Sequence, residues 1–158
     1  MTKGNFEEVA HYPLDEAQLV ELYEAQAECT FIWRRQDGWP TGVTMNFVHR
    51  DGHFWLTATS QRPRIAAIRR DDRVAIAVSS GGTSLGMRAV TQRGRCRVRD
   101  DAETKRWFYP ALAQRLQPAD AARQAAFAEL LDTPRRVVIE VVPEHAITFD
   151  GNKLLSEV

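Results

Sequence analysis

Residues 29–59 read CTFIWRRQDGWPTGVTMNFVHRDGHFWLTAT: three runs rich in β-branched and aromatic residues, separated by two short segments that each carry Asp-Gly. CTFIWRR ends at Asp37-Gly38. GVTMNFV then alternates, with Val43, Met45 and Phe47 on one side and Thr44, Asn46 and Val48 on the other. Arg50-Asp51-Gly52 turns the chain into HFWLTAT. Asp-Gly favours tight hairpin turns, and strands joined by such turns must be antiparallel, because a parallel neighbour needs a long crossover. The segment therefore predicts an antiparallel meander and argues against a doubly wound parallel sheet.

The rest of the chain fits the same class. Asp15 and Gln18 form a possible capping box at the head of DEAQLVELYEAQAE, where Leu19, Leu22, Tyr23 and Ala27 recur at helical spacing. A short helix is expected from Pro63 to about Arg70, followed by the strand RVAIAVSS and a glycine-containing loop over Gly81–Met87. RAVTQRGRCRV predicts a long strand bent at Gly94. Asp100-Asp101 starts a helix, with Glu103 completing an Asp-x-x-Glu pattern, and Trp107, Phe108, Ala111 and Leu112 mark its buried face. A second, alanine-rich helix runs from about Ala119 to Leu131, and RVVIEVV and HAITF close the chain as two strands. The expectation is a mainly β fold: a small antiparallel barrel of about six strands with helices at its edges.

At 158 residues with 44% hydrophobic side chains, the chain suits one domain over 1–158, with 1–28 as a lead-in and helix packed on the barrel. Lysine plus arginine balances aspartate plus glutamate at 21 each, so no global charge draws the chain to nucleic acid or an anionic membrane. Lys3, Lys105 and Lys153 are the only lysines, which leaves arginine as the dominant cation. Cys29 and Cys96 are isolated and read as reduced thiols. The first residues lack a basic-then-apolar leader pattern and no run reaches membrane-spanning length, so a cytoplasmic location is expected.

Chemistry concentrates in WLTATSQRPRIAAIRR, residues 55–70. Arg69 and Arg70 fall at the end of the helix, where the macrodipole favours cations, but Arg62 and Arg64 fall at its start, where a cation costs roughly 0.3–1 kcal/mol. Pro63 suits the first helical position, and Thr57, Thr59 and Ser60 supply hydroxyls just upstream. Two arrangements satisfy this pattern. Either Ser60 caps the helix and both arginines are solvated or paired with carboxylates, or an anion such as phosphate sits there. His11, His49, His53 and His145 show no metal-ligand spacing, and no nucleophile elbow or activated cysteine is present, so no metal is expected. If the chain is an enzyme, a cofactor carries the reaction. Trp33, Trp39, Phe54, Trp55, Trp107, Phe108 and Tyr109 are either core residues or the surroundings of a planar ligand.

In order, DGWPTGVTMNFVHRDGHFWLTAT, RPRIAAIRRDDRVAIAV, VTQRGRCRVRDDAETKRWFYPALAQRL and RVVIEVVPEHAITFDGNKL resemble the flavin-binding split-barrel proteins of the pyridoxamine 5′-phosphate oxidase-like superfamily, which includes deazaflavin-dependent reductases. The resemblance implies a six-stranded antiparallel split β-barrel of Greek-key type with about four helices. It implies FMN as cofactor, or alternatively the deazaflavin coenzyme F-420. It assigns cofactor contacts to the strand residues Val43, Thr44, Met45 and Asn46, to the turn Thr57, Ala58, Thr59 and Ser60, and to the phosphate-binding cations Arg62 and Arg64. Arg64 stands nine residues before Arg73, the arginine of the family's "nPRv" segment. The family's sites form between two subunits, so a homodimer is implied, with Arg88 and Trp107 completing the site from the partner chain. The implied function is hydride transfer to or from a small organic substrate, with a non-catalytic flavin carrier as the alternative. Ala89 after Arg88, and the ending NKLLSEV, depart from true pyridoxamine 5′-phosphate oxidases and argue against vitamin B6 oxidation. No histidine stands where a haem-degrading relative would need an axial ligand.

Overall fold

The computed structural model describes residues 12–157; the lead-in over 1–11, with Lys3 and His11, and Val158 lie outside them. Among the described residues the strands are β1 (Glu28–Arg34), β2 (Pro40–Asn46), β3 (Val48–Arg50), β4 (His53–Thr59), β5 (Arg73–Ser79), β6 (Arg88–Arg99) and β7 (Arg136–Asp150). They form one sheet in the order β2-β1-β5-β6-β7-β4-β3, and every pairing is antiparallel. The helices are α1 (Glu16–Ala25), α2 (Pro63–Arg70), α3 (Ala102–Leu116), α4 (Ala121–Leu131) and α5 (Gly151–Leu155).

The architecture is mainly β and antiparallel as expected, with seven strands where the sequence suggested six and a fifth short helix. GVTMNFV is not one strand. Its first part pairs with β1 and its last residue, Val48, pairs with β4; these stand towards opposite ends of the strand order. Phe47 is the hinge: its side chain is fully buried and its N–H donates to the Ala27 carbonyl at 3.1 Å. Because β2 and β3 are the two sheet edges and only Phe47 separates them in the chain, the sheet has to curl back on itself there. Away from Phe47 the edges diverge and are not paired, leaving a curled half-barrel.

The two closing strands are instead one. Pro143 and Glu144 look like a break, but a bulge in the pairing between Arg93 and Gly94 takes up the extra residue, with Gly94 opposite Pro143 and Arg93 opposite His145. This places the bend of β6 at Gly94, as its sequence suggests. α5 has little sequence signature; the Asp150 carboxylate caps it by accepting from the Asn152 and Lys153 N–H groups at 3.0 and 3.4 Å. The capping box of α1 forms as read, whereas α3 is capped by Asp101, whose carboxylate accepts from the Thr104 N–H, and not through Asp100 and Glu103.

Side chains alternate between two cores. Inside the curl, Phe31, Met45, Phe47, Phe54, Leu56, Ile76, Val90, Ile139 and Val141 pack with Leu22 and Tyr23 of α1 and Ile65 and Ile68 of α2. On the outer face of β4 and β7, Trp55 and Val138 pack under Phe108, Tyr109 and Leu112 of α3 and Leu131 from the end of α4.

Candidate functional site

At the end of β4 the chain makes a tight turn: the Ser60 N–H donates to the Arg135 carbonyl at 2.6 Å and the Arg62 N–H to the Thr59 carbonyl at 3.0 Å. Arg62 thereby becomes the N-cap residue of α2, in extended conformation, with Pro63 following it, and no side chain caps the helix. Of the two arrangements left open by the sequence, capping by Ser60 is absent. The Ile65 N–H turns back to the Arg62 carbonyl at 2.9 Å, and Pro63 has no N–H to offer. The buried face of α2 (Ile65, Ala67, Ile68) fixes its rotation and leaves Arg64 half-buried at the margin of the core.

Arg64 borders a cavity of about 850 Å³ between α2 and the β1–β2 hairpin. Trp33, Thr41 and Val43 form one wall and Pro63, Ala66 and Ala67 the other, with Arg35, Gln36, Asp37 and Arg70 at the rim, where Asp37 is paired with Arg35 at 3.2 Å. The Arg64 Nε is buried and has no hydrogen-bond partner among the described residues. Burial, and then the neighbouring charge of Arg62, push the Arg64 guanidinium below its ordinary pKa. A half-buried cation without a partner among the described residues, beside a second cation at an uncapped helix N-terminus, is an arrangement that an anion would stabilise on all three counts.

The other sequence-derived candidates are distributed around this point. Val43 lines the cavity, but Met45 points into the main core. Thr44 is exposed, and the Asn46 amide donates to the Ala27 carbonyl at 3.3 Å. Pairing with β1 alone, β2 has one backbone edge free. Thr57 donates its hydroxyl to the Val137 carbonyl at 2.8 Å, Ala58 packs in the core, and Thr59 and Ser60 form the turn into α2. Arg88 stands elsewhere. It pairs opposite Asp150 at the far end of β7 from Arg136, the partner of Thr59, and its guanidinium is held by Glu21. Trp107 meets Trp55 edge-on at 4.9 Å with the Arg50 guanidinium 4.4 Å over its ring, so it belongs to the outer core. Within one chain the structure joins Val43 and Arg64 in one cavity next to the Thr59–Arg62 turn, and keeps Arg88 and Trp107 apart from it.

Thr41, Gln36 and Ala66 carry no local signal in the sequence, because they meet the site only once the hairpin folds over α2. A second polar cluster is equally silent there: Glu140, 3% exposed, accepts from Arg99 Nε at 2.7 Å and lies 2.9 Å from His53 Nδ1. No group of three or more metal-ligating side chains occurs among the described residues, and no described helix is long and apolar enough to cross a membrane.

A family model described as pyridoxamine 5′-phosphate oxidase matches residues 16–150, which takes in every strand of the sheet and α2. The chain belongs to the pyridoxamine 5′-phosphate oxidase family. Solved structures share its split-barrel fold. A conserved hypothetical protein from Mycobacterium tuberculosis superposes with a TM-score of 0.80 at 21% identity, covering 92% of this chain and 90% of that one. A putative pyridoxamine 5′-phosphate oxidase from Listeria innocua gives 0.63 at 18% identity over 84% and 96% of the two chains. An F420 reductase gives 0.62 at 23% identity over 80% and 94%. No curated protein matches.

Proposed function

We propose that the chain binds a flavin, FMN or the deazaflavin coenzyme F-420, and uses it for oxidation or reduction of a small organic molecule. The observation that carries this reading is the buried Arg64 Nε, without a hydrogen-bond partner among the described residues, at the uncapped start of α2 and bordering an apolar cavity. Membership of the family and the likeness to an F420 reductase support it. Arg64 and Arg62 hold the cofactor phosphate, with the hydroxyls of Thr59 and Ser60 at the turn as further donors. The free backbone edge of β2, from Val43 to Asn46, orients the ring, and Trp33, Val43 and Ala67 keep water from its face. The bound ring supplies hydride transfer; the chain positions it.

The working unit in this reading is a homodimer. Thr44, Thr30, Ala77, Thr91 and Ile147 stand in register across β2, β1, β5, β6 and β7 on the outer face, where Ile147 is 65% exposed. Such a row of small side chains ending in an exposed isoleucine suits packing against a second copy, which would bring the partner's Arg88 and the partner's Trp107 to a site they do not reach within their own chain.

Arg64→Ala tests the reading. Its loss weakens flavin binding by at least about 1.5 kcal/mol, the scale of one charge-assisted hydrogen bond. An unchanged dissociation constant in a fluorescence titration would remove Arg64 from the site. Turnover separates an oxidoreductase from a flavin carrier: bound flavin that NAD(P)H reduces and a substrate reoxidises marks the enzyme, and a redox-inert ligand marks the carrier.

A further inference from the structure

Beyond the rim of the apolar cavity lies a second chamber of about 670 Å³, open to solvent, built where the end of β1, the end of α2, the start of β5 and the second half of β6 meet. Arg34, Arg69, Arg73 and Arg95 line it, and Arg35, Gln36 and Arg70 belong to both chambers, so the two adjoin. Its carboxylates are Asp71 and Asp72. Asp71 is taken up by Arg73 through two hydrogen bonds of 2.8 and 2.7 Å, and Asp72 accepts from Arg95 at 2.8 Å. Arg35 is paired with Asp37 at 3.2 Å and Arg95 also meets Glu144 at 3.2 Å, but Arg34 approaches Asp71 only at 3.8 Å, and Arg69 and Arg70 have no carboxylate within ion-pair distance among the described residues. The surplus of positive charge thus rests on Arg69 and Arg70, with Arg34 sharing Asp71 with Arg73.

The direction of this surplus matters. Arg70 follows Arg64 by six residues, about 9 Å along the helix axis. A ligand whose phosphate sits on Arg64 and whose ring fills the apolar cavity therefore extends away from the phosphate toward Arg35, Arg70 and the arginine chamber. Whatever approaches that end of the ring meets guanidinium groups with planar, paired N–H donors suited to carboxylate or phosphate oxygens.

We infer that the arginine chamber anchors the substrate, and that the substrate is a small polyanion carrying two or more carboxylate or phosphate groups. The inference rests on the cofactor reading for its geometry, but the anion site itself is independent of it. Inorganic pyrophosphate and tricarballylate serve as probes, titrated by calorimetry into the full chain with and without FMN. Salt is held at about 0.15 M, where exposed charges more than about 8 Å apart are screened. At least one probe saturates a single site per chain, and the tighter of the two names the anion type. Arg34→Gln/Arg69→Gln weakens that binding by roughly tenfold or more, as expected for lost charge-assisted hydrogen bonds, and leaves FMN affinity within about twofold. Arg64→Gln does the reverse. Absence of saturable binding by both probes overturns the inference, as does binding that is lost in Arg64→Gln and kept in the double variant, which would place the anion in the cofactor's phosphate position. Failure of the wild-type chain to bind any flavin would defeat the cofactor reading alone, because the titrations without FMN still decide the chamber.

Discussion

Cys29 and Cys96 sit on inward faces of β1 and β6, 3% and 5% exposed, and burial pushes both thiols up to about 12. Their raised folded-state values have a definite consequence for stability. The stabilisation is complete below the ordinary thiol value, 9.0, and declines as pH rises from there toward about 12, because only the unfolded chain ionises freely in that window. The folded protein is expected to leave both thiols unreacted with a disulfide reagent at neutral pH, and two thiols to react after denaturation; prompt reaction in the native state would contradict the burial. At this same scale, the sequence revealed the pair Arg62 and Arg64 through a local electrostatic argument, since a cation at a helix start is anomalous whatever surrounds it. It did not reveal that Arg64 would be half-buried and without a partner among the described residues, which depends on the rotation of α2 against the core. Nor did it reveal Glu140, one acidic residue in an apolar strand, whose partners Arg99 and His53 come from β6 and β4.

At the scale of elements, Gly94 is the point on which the longest strands depend. A methyl group there would strike the Val142 carbonyl and come within 2.9 Å of the Pro143 Cα, both backbone atoms that cannot step aside. Gly94→Ala is expected to destabilise the fold by about 1–3 kcal/mol, the usual cost of overpacking, read as a lower denaturant midpoint in equilibrium unfolding. A midpoint unchanged from wild type would mean that the bulge is loose. Gly94 was readable because a glycine inside a strand pattern weakens the strand and so marks a bulge, a bend or a close backbone approach. The break at Phe47 was not, because alternation continues straight through it and only the pairing partners change. The end of α1 shows the same limit: Arg115 of α3 donates to the Tyr23 and Gln26 carbonyls and serves that helix as a C-terminal cation from 89 residues or more away. Capping by a distant side chain leaves no trace near the helix it serves.

Across the whole molecule, the curl of the sheet is what makes a site possible. The edge strands β2 and β3 meet at Phe47 and part away from it, and α2, entering directly from β4, packs its apolar face into the core enclosed by the curl. The cavity then forms between α2 and the turn of the β1–β2 hairpin. The antiparallel class was legible from the Asp-Gly turns and the alternation. The family resemblance supplied the split-barrel class but not the order of the seven strands, since no local pattern says that β1 pairs with β5 or β4 with β7. The arginine chamber needed the structure outright, its members being drawn from β1, α2, β5, β6 and the segments that join them.

A flavin phosphate at the start of α2 is tested most directly by thermal unfolding of the wild-type chain and of Arg64→Ala, each with FMN and with coenzyme F-420. At least one of the two cofactors is expected to raise the wild-type melting temperature in a concentration-dependent way, and the same cofactor to give a much smaller rise in Arg64→Ala. No shift with either cofactor, or an equal shift in both proteins, would contradict a phosphate held by Arg64.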